Sequence, residues 1–268
     1  MNTTYTGKNL RREETGQGVK KIIFTRPELR NAFNAEMIVE LTYVLEQLAF
    51  ISDMNVMRLL ILSGEGKVFC AGADLNYMKE QAQKNEEQNL ADACALGKMF
   101  FHLASFPCPV VCLVQGAAIA GGLGLAACAD FVLAEETAVF ATSEVLLGII
   151  PALISPYIIR KIGVAHATPL MLTGKQLTAS ECLYSGLVSK VTAKGTLNSE
   201  ADKVAKEFLL AAPHAARRTK ELIQNAVPLP TKAQFEYTTR QIAAARKSAE
   251  AEAGLHAFFE KTRPFWQL

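Results

Sequence analysis

The stretch of residues 110–151 constrains this chain more than any other part of it. Its opening letters VVCLV form a short apolar run, the letters QGAAIAGG are glycine-rich, and GLGLAACA follows. This order predicts a buried strand, a tight turn and a helix. Because the first amides of a helix have no acceptor within the helix, free N–H groups would collect beside the turn. Such donors suit an oxygen atom that carries or develops negative charge.

A lone carboxylate follows this turn, in the sequence Ser143-Glu144. An apolar run comes directly after it, so burial should raise the pKa of the Glu144 carboxyl toward neutrality. A carboxyl group that titrates near neutral pH can both take up and release a proton. A backbone cradle for an anion, followed by an isolated acid, therefore predicts a catalytic site with Glu144 as its acid/base.

Two other interpretations fit the stretch less well. Residues 110–129 carry no charge and could span a membrane, but half of them are Gly or Ala, which contribute little transfer energy. Gly122-x-Gly124-x-x-Ala127 is a near-match to the dinucleotide-binding motif. That motif places its first glycine directly after a strand, whereas residues 115–121 intervene here. We therefore expect neither a membrane span nor a nucleotide cofactor.

The composition describes an ordinary globular protein. Half of the 268 residues are apolar, 20% are charged, and the net charge of +2 gives no basic field for nucleic acid. The six cysteines include no Cys-x-x-Cys, so we expect reduced core residues and a cytoplasmic protein without an export signal. The four histidines show no metal-ligand or catalytic-triad spacing, so no metal site is predicted.

Strand, turn and helix alternate along the first part of the chain. A strand at 18–25 and a turn containing Arg26-Pro27 precede a helix that Asn34 should cap and that runs to about residue 51. The second unit has a strand at 58–63, the small-residue turn FCAGADL at 69–75, a polar surface helix or loop at 79–89 and a helix at 91–103. Repeated units of this kind predict an α/β domain.

The last part of the chain changes character. Short strands are predicted at 131–134 and 138–141, a helix within 148–163, a capping box at Thr178 and Glu181, and a strand at 187–191. After about residue 198 only helical patterns remain, at 199–211, 214–226 and 231–261. We therefore divide the chain into an α/β core at 1–198 and a helical region at 199–268, suited to packing on this core or on another subunit.

These features together resemble the enoyl-CoA hydratase/isomerase, or crotonase, superfamily. The resemblance covers nearly the whole chain, and the ordered set of motifs makes it specific. The matching motifs are Arg26-Pro27 through Asn31-Ala32, FCAGADL at 69–75, Gln115-Gly116 through Gly121-Gly122 to Asp130, Ser143-Glu144 through Leu147-Gly148 to Pro151, LTG at 172–174, GLV at 186–188, and EAGL at 252–255 through Phe258, Glu260-Lys261 and Arg263-Pro264.

The resemblance implies an α/β spiral of β-β-α turns with a C-terminal helical region, assembled as a homotrimer or homohexamer. It implies an acyl-CoA thioester substrate and an oxyanion hole made by the backbone N–H groups of Ala73 and Gly121. Coenzyme A is then part of the substrate, and no separate cofactor is expected. The implied CoA contacts are the backbone of Ala71, then Asp74, Leu75 and Asn76, with Phe258 and Lys261 reaching the CoA of a neighbouring subunit.

One position departs from the family pattern. Two-acid hydratases carry a glutamate three residues after the second oxyanion glycine, and here that residue is Gly124. Glu144 is retained, so the chain has one acid/base. Either a glutamate at residue 124 would restore the activation of water, or Gly124 makes room for a bulkier substrate. Asp130 follows the central helix and is expected to be structural.

Hydration of an enoyl-CoA is the first functional prediction. Residues 148–157 resemble the methylglutaconyl-CoA hydratase branch of leucine breakdown. The substrate there has a distal carboxylate, which Arg160 or Lys161 could meet. An enoyl-CoA double-bond isomerase with a single glutamate is the alternative, and a non-catalytic homologue that binds CoA or RNA is a third hypothesis.

Overall fold

A computed structural model of the chain describes residues 2–51, 57–264 and 266. The strands are β1 Asn2–Thr6, β2 Leu10–Glu14, β3 Val19–Phe24, β4 Leu59–Gly64, β5 Val110–Val114, β6 Ala117–Ile119, β7 Phe131–Glu135, β8 Val139–Ala141, β9 Leu177–Thr178 and β10 Lys190–Thr192. The helices are α1 Ala35–Ala49, α2 Leu75–Gln83, α3 Glu86–Ala104, α4 Gly121–Cys128, α5 Ser155–Thr173, α6 Ala179–Ser185, α7 Leu197–Leu209, α8 Pro213–Ala226, α9 Lys232–Ala245 and α10 Ala249–Phe259. Two 3₁₀ helices occupy Pro27–Leu29 and Glu144–Leu147, and we call the second one the acid turn.

The described strands form two sheets. The larger sheet has the order β1-β2-β3-β4-β5-β7-β10, and the smaller has the order β6-β8-β9. After β5 in the large sheet, the chain forms β6 in the small sheet and then helix α4. The same order recurs with β7 in the large sheet and β8 in the small sheet, followed by the acid turn and α5. Pairing is parallel from β3 through β4, β5 and β7 to β10. The predicted spiral of β-β-α turns is confirmed.

The apolar strands are buried on both faces, which is why they lack polar alternation. Leu60 and Leu62 of β4 belong to the main core, which α1 and α3 also line. Leu59 and Ile61 point to the opposite face and pack in a second core that includes Val204 of α7. The predicted first helix is confirmed as well, because Asn34 Oδ1 accepts a hydrogen bond from the Met37 amide at 3.0 Å and α1 follows.

Some predicted elements are wrong in their extent. The polar stretch 79–89 contains the end of α2 and the start of α3, which begins with a capping box. The predicted strand at 187–191 forms at β10 instead. The single helix predicted at 231–261 is two helices, α9 and α10, because Ser248 caps a new helix by accepting from the Ala251 amide at 3.1 Å. The paired strands β1 and β2 were not predicted.

Beyond β10 the described residues form helices that fold back on the same chain. Lys220 of α8 donates to the Asp130 carboxylate at 2.6 Å and to the Cys108 carbonyl at 3.0 Å. Farther along, α9 packs on α3, and α10 packs on the acid turn. The division at residue 198 into functional regions stays a prediction. Within the described residues, no helix combines the length and the apolar character that crossing a bilayer requires.

Candidate active site

Three short parallel segments bring the predicted site residues to one edge. Ile119 of β6 pairs with Ala141 of β8, and Cys70 forms a parallel bridge with Ala118. Gly121 follows Ala120, which donates its N–H to the Ala141 carbonyl at 2.7 Å, and a Cβ atom at Gly72 would lie 3.6 Å from the Gly121 nitrogen. Neighbouring strands are about 5 Å apart. The amides of Ala73 and Gly121 and the start of the acid turn are therefore close neighbours.

The amide of Ala73 points away from the segment that precedes α1. Phe33 donates its N–H to the Gly72 carbonyl at 2.8 Å, and its carbonyl accepts from Asp74 at 3.0 Å, so Ala73 is the bridged residue between them. In parallel pairing, the N–H of such a residue faces the opposite side. Gly72 has φ of +88°, and a Cβ atom there would lie 2.9 Å from the Ile119 carbonyl. Within the described residues, the Ala73 N–H has no backbone acceptor.

Gly121 is the first residue of α4. Ala120 before it has φ 51° and ψ −120°, a conformation that side chains rarely adopt, and it donates its N–H to the Ala141 carbonyl at 2.7 Å. In the described part of the chain no backbone acceptor pairs with the Gly121 amide. A Cβ atom at Gly121 would lie 2.7 Å from Phe33 Cε1, so the position has no room for a side chain. Two unpaired amides side by side can bind an oxyanion, and this role stays a prediction.

Glu144 begins the acid turn and is buried, with 9% of its surface exposed. Its Oε2 atom has no hydrogen-bond partner among the described residues. Burial raises the pKa of the Glu144 carboxyl to about 7, against a smaller lowering effect of its own backbone amide. A pKa raised toward neutrality suits a carboxyl group that both accepts and donates a proton.

The space above Gly124 is filled by protein. A Cβ atom at Gly124 would lie 3.0 Å from Ile154 Cβ and 3.1 Å from Phe100 Cε1, and it would overlap Cγ2 of Ile154. Both side chains are buried, at 3% and 1% exposed. The expectation that Gly124 makes room for a bulkier substrate is therefore wrong, because Ile154 occupies that room. This face of α4 is apolar.

The predicted CoA contacts near the first turn have different settings. Asp74 caps α2 by accepting from the Tyr77 amide at 2.8 Å, and its other oxygen pairs with Arg26 at 2.9 Å. Its carboxylate is therefore held within the protein. Leu75 and Asn76 are exposed in the first turn of α2, and half-buried Ala71 donates its N–H to the Arg30 carbonyl at 3.0 Å. Contact of these residues with CoA stays a prediction.

Phe258 is exposed near the end of α10, and Lys261 is exposed just after the helix. The Phe258 ring packs edge-on against Phe259, with centroids 5.7 Å apart. Lys79 Nζ of α2 lies 4.6 Å from the centroid of the Phe259 ring. The end of α10 is therefore beside α2 of the same chain. The predicted contact of Phe258 and Lys261 with a neighbouring subunit's CoA is not tested by this arrangement.

The two cations considered for a distal carboxylate face elsewhere. Lys161 Nζ donates to the carbonyl of Ala129, which ends α4 on the side opposite Gly121. Arg160 Nε donates to the carbonyl of Val227 at 2.9 Å. The expectation that either one meets a substrate carboxylate is wrong, since both side chains are bound to backbone carbonyls away from the predicted site.

Comparison with known proteins agrees with this architecture. A sequence profile of the enoyl-CoA hydratase/isomerase family matches residues 14–268. The chain belongs to this family. An enoyl-CoA hydratase of known structure from Shewanella pealeana is 37% identical, with a TM-score of 0.78, covering 97% of this chain and 96% of that one. An enoyl-CoA hydratase/isomerase from Pseudoalteromonas atlantica is 29% identical, with a TM-score of 0.82 and coverage of 96% and 99%. The human mitochondrial enoyl-CoA hydratase domain-containing protein 3 is 26% identical over 249 residues, or 93% of this chain and 80% of that protein.

Membership of the crotonase superfamily is thereby confirmed. The chain is an enzyme of the enoyl-CoA hydratase/isomerase kind, and its family implies an acyl-CoA substrate. Asp130 has the structural role expected of it, since its Oδ2 accepts from the Val110 amide at 2.7 Å as well as from Lys220. Among the described residues, no three His, Cys, Asp or Glu side chains cluster as a metal site would require.

Sequence patterns missed several residues that shape the site of this enoyl-CoA hydratase/isomerase. Arg26 lies in a motif that was recognised, yet nothing in it indicated the ion pair with Asp74. Phe33, Phe100 and Ile154 enclose the glycines of α4 from three separate segments. Each is an apolar residue in an apolar pattern, so only the three-dimensional contact distinguishes it from an ordinary core residue.

Proposed function

We propose that this enzyme adds water to the double bond of a 2-enoyl-CoA thioester, with Glu144 as its sole side-chain acid/base. The main support is the position of the buried Glu144 carboxyl, which lies next to the edge that carries the Ala73 and Gly121 amides. Burial raises the pKa of this carboxyl to about 7. Packing of Ile154 over Gly124 excludes a second carboxyl from the α4 position.

The two amides would act on the thioester oxygen. Addition at C3 pushes an electron pair from the double bond toward this oxygen, so its negative charge grows in the transition state. Fixed donors stabilise that form more than the substrate, and each is worth about 3 kcal/mol. No separate cofactor takes part in this scheme.

Glu144 would serve both halves of the addition. Its carboxylate takes one proton from water as the water oxygen bonds to C3, and the same proton then passes from the carboxyl to C2. One water is consumed, and the carboxylate is regenerated. A pKa of about 7 suits this exchange, because neither proton uptake nor proton release is strongly uphill at neutral pH.

Double-bond isomerisation is the second candidate, favoured by the apolar wall of Ile154 and Phe100. Moving a double bond requires the removal of a proton from C2 of a 3-enoyl-CoA and its return at C4. A single carboxyl suffices for this transfer, and an apolar wall would keep competing water away.

The acyl group and the assembly are also proposals. The resemblance of residues 148–157 to methylglutaconyl-CoA hydratases supports a branched acyl chain, but a distal carboxylate would need partners other than Arg160 and Lys161. A homotrimer or homohexamer is supported by large apolar side chains exposed on α5 and α6, such as Leu172 at 73% and Tyr184 at 86%. Light scattering on the purified protein measures the assembly.

The deciding experiment separates the two reactions. The protein is incubated with straight, branched and carboxylated 2-enoyl-CoA and 3-enoyl-CoA thioesters, and the absorbance of the conjugated thioester is followed. Hydration gives a loss of absorbance and a product heavier by one water in the mass spectrum. Isomerisation gives a gain of absorbance from 3-enoyl substrates at unchanged mass. Turnover of neither substrate class would contradict the proposal.

A further inference from the structure

Two glycines bring the backbone of α10 against the backbone of the acid turn. Gly254 lies within α10, and a Cβ atom there would be 2.5 Å from the carbonyl carbon of Leu147 and 3.1 Å from the nitrogen of Gly148. Gly148 ends the acid turn with φ of +71°, and a Cβ atom there would be 2.8 Å from the nitrogen of Ala251. Each backbone thus approaches the other at a distance that only glycine permits.

The position of Glu144 depends on its backbone more than on polar contacts of its side chain. Oε2 has no hydrogen-bond partner in the described part of the chain. The acid turn spans only Glu144–Leu147, and so short a 3₁₀ helix is not rigid by itself. Contacts from neighbouring elements must fix it, and the packed neighbours are α5, which follows in the chain, and α10.

The start of α10 is anchored to the other half of the site. Arg246, just before α10, pairs with Asp92 of α3 at 3.0 Å, and both side chains are nearly buried. Asp92 also accepts from the Tyr77 hydroxyl at 2.6 Å. The Tyr77 amide donates to Asp74, the residue after Ala73. A continuous set of contacts therefore runs from the Ala73 turn through α2 and α3 to α10, and from α10 to the acid turn.

We propose that α10 is a positioning element of the active site, with Gly254 and Gly148 as positioning residues that set where Glu144 lies relative to the Ala73 and Gly121 amides. Neither glycine touches the reacting atoms in this scheme. They act by allowing the backbones of α10 and the acid turn to pack in direct contact, which fixes the position of the acid turn. The proposal rests on the proposed function, since it concerns the placement of the acid/base.

Gly254→Ala tests the proposal directly. The added methyl group must push the acid turn away by about 1 Å, and a misplacement of that size can lower turnover by about 10²-fold. Since Ala73 and Gly121 keep their backbone, we expect kcat to fall by at least about tenfold while KM changes by less than about threefold. Steady-state kinetics with the best substrate from the thioester panel gives both numbers.

Two further variants separate positioning from general destabilisation. Ala205 of α7 packs in the second core, and Ala205→Gly weakens this helix. The melting temperature of the variant protein should fall while its kcat is unchanged. Arg246→Lys loosens the anchor at Asp92 without adding an atom near Leu147, and should lower kcat to a smaller extent with KM again preserved. This variant serves if Gly254→Ala does not fold.

The outcomes are distinct. A folded Gly254→Ala or Arg246→Lys variant with wild-type kcat overturns the positioning role, as does a loss of kcat matched by an equal rise in KM. Glu144→Gln is assayed in parallel. If that variant keeps its activity, the proposed function fails; if it is inactive while Gly254→Ala is fully active, only the role of α10 fails.

Discussion

The two halves of the candidate active site are built in opposite ways. The amides of Ala73 and Gly121 are backbone groups at the ends of paired segments, and small residues surround them. Glu144 is a buried side chain whose Oε2 atom lacks a partner within the described residues. The amide half should therefore tolerate changes of side chain but not of backbone, whereas the acid half should depend on one functional group and on its burial.

Gly121→Pro should have the largest effect, because it attacks the amide half at the backbone. Proline removes the N–H donor, and its ring would collide with Phe33, whose Cε1 lies 2.7 Å from a Cβ atom at this position. We expect no measurable turnover in an enoyl-CoA assay of a variant whose circular dichroism is native. A folded variant with wild-type turnover would remove Gly121 from the proposed oxyanion hole.

Glu144→Gln removes the carboxyl group of the acid half and keeps the shape of the side chain. The amide cannot take up a proton at neutral pH, so kcat should fall by about 10²-fold or more, with little change in KM. The same carboxyl should give wild-type kcat a pH dependence centred near its pKa of about 7. If kcat of the variant stays near normal, another group performs the proton transfer and the comparison of the two halves is wrong.

The same substitution should stabilise the fold at high pH. Burial raises the pKa of Glu144 from 4.5 to about 7, so ionisation costs the native state but not the unfolded chain. Wild type thus loses up to about 3 kcal/mol of stability as pH rises from 4.5 through 7, and Gln avoids that loss. In urea unfolding, Glu144→Gln should match wild type at pH 4 and exceed it at pH 8.

Glu181→Gln is the matched control for this measurement. Hydrogen bonds from the Thr178 amide and hydroxyl lower the pKa of Glu181, so its ionised form stabilises the native state above the ordinary carboxyl range. Its replacement should therefore destabilise the protein at pH 8 and have less effect at pH 4. Equal stability of wild type and Glu144→Gln at both pH values would show that burial of the Glu144 carboxyl does not destabilise its ionised form.

Gly124→Glu should destabilise the protein and not restore a second acid. Its Cβ atom would collide with Ile154, and overpacking of a core costs about 1–3 kcal/mol. Adding Ile154→Ala to it should recover part of this loss, while Ile154→Ala alone leaves a cavity. Thermal unfolding and hydration rates of the three variants test this. A single Gly124→Glu variant that is stable and faster than wild type would contradict the packing argument.

The smallest effect is expected at Ala120, on the amide half. Its φ of 51° with ψ of −120° is a strained conformation for alanine, and a glycine at this position would relieve that strain at some cost in unfolded-state entropy. Ala120→Gly should therefore raise the free energy of unfolding by about 1 kcal/mol with kcat retained. Ala118→Gly, in the regular strand β6, is the control and should lower it. A loss of stability in Ala120→Gly would show that the strain is not there.

Local pattern predicted those parts of the fold that local forces determine. The strand β4 and the Asn34 cap of α1 were both predicted, because a buried strand and a capped helix each depend on residues that are adjacent in the sequence. The strands β1 and β2 left little mark, since only Leu10 among the residues of β2 is fully buried and the rest are polar. They are held by strand pairing, since β2 pairs with β3 and β1 pairs with β2.

The site was predictable to a different degree in its two halves. Glu144 and the glycine-rich turn before α4 were singled out from their residue types, whereas the roles of Ala73 and Gly121 came from the family resemblance and stay a prediction. The filling of the Gly124 space by Ile154 joins residues far apart in sequence, and no spacing rule connects them. Likewise, Asp74 had the marks of a helix start, while its ion pair with Arg26 depends on how two turns pack. Packing partners of this kind follow from the fold and not from any single segment.

The Ile154 side chain over Gly124 also bears on how such an enzyme can change over generations. A descendant that gained a glutamate at residue 124 first would be destabilised by overpacking against Ile154, and one that lost the bulk of residue 154 first would be destabilised by a cavity. Either substitution made first therefore costs stability, and the one-acid state is easier to keep than to leave. An α4 segment with a glutamate at residue 124, introduced without a change at residue 154, would place that side chain against Ile154.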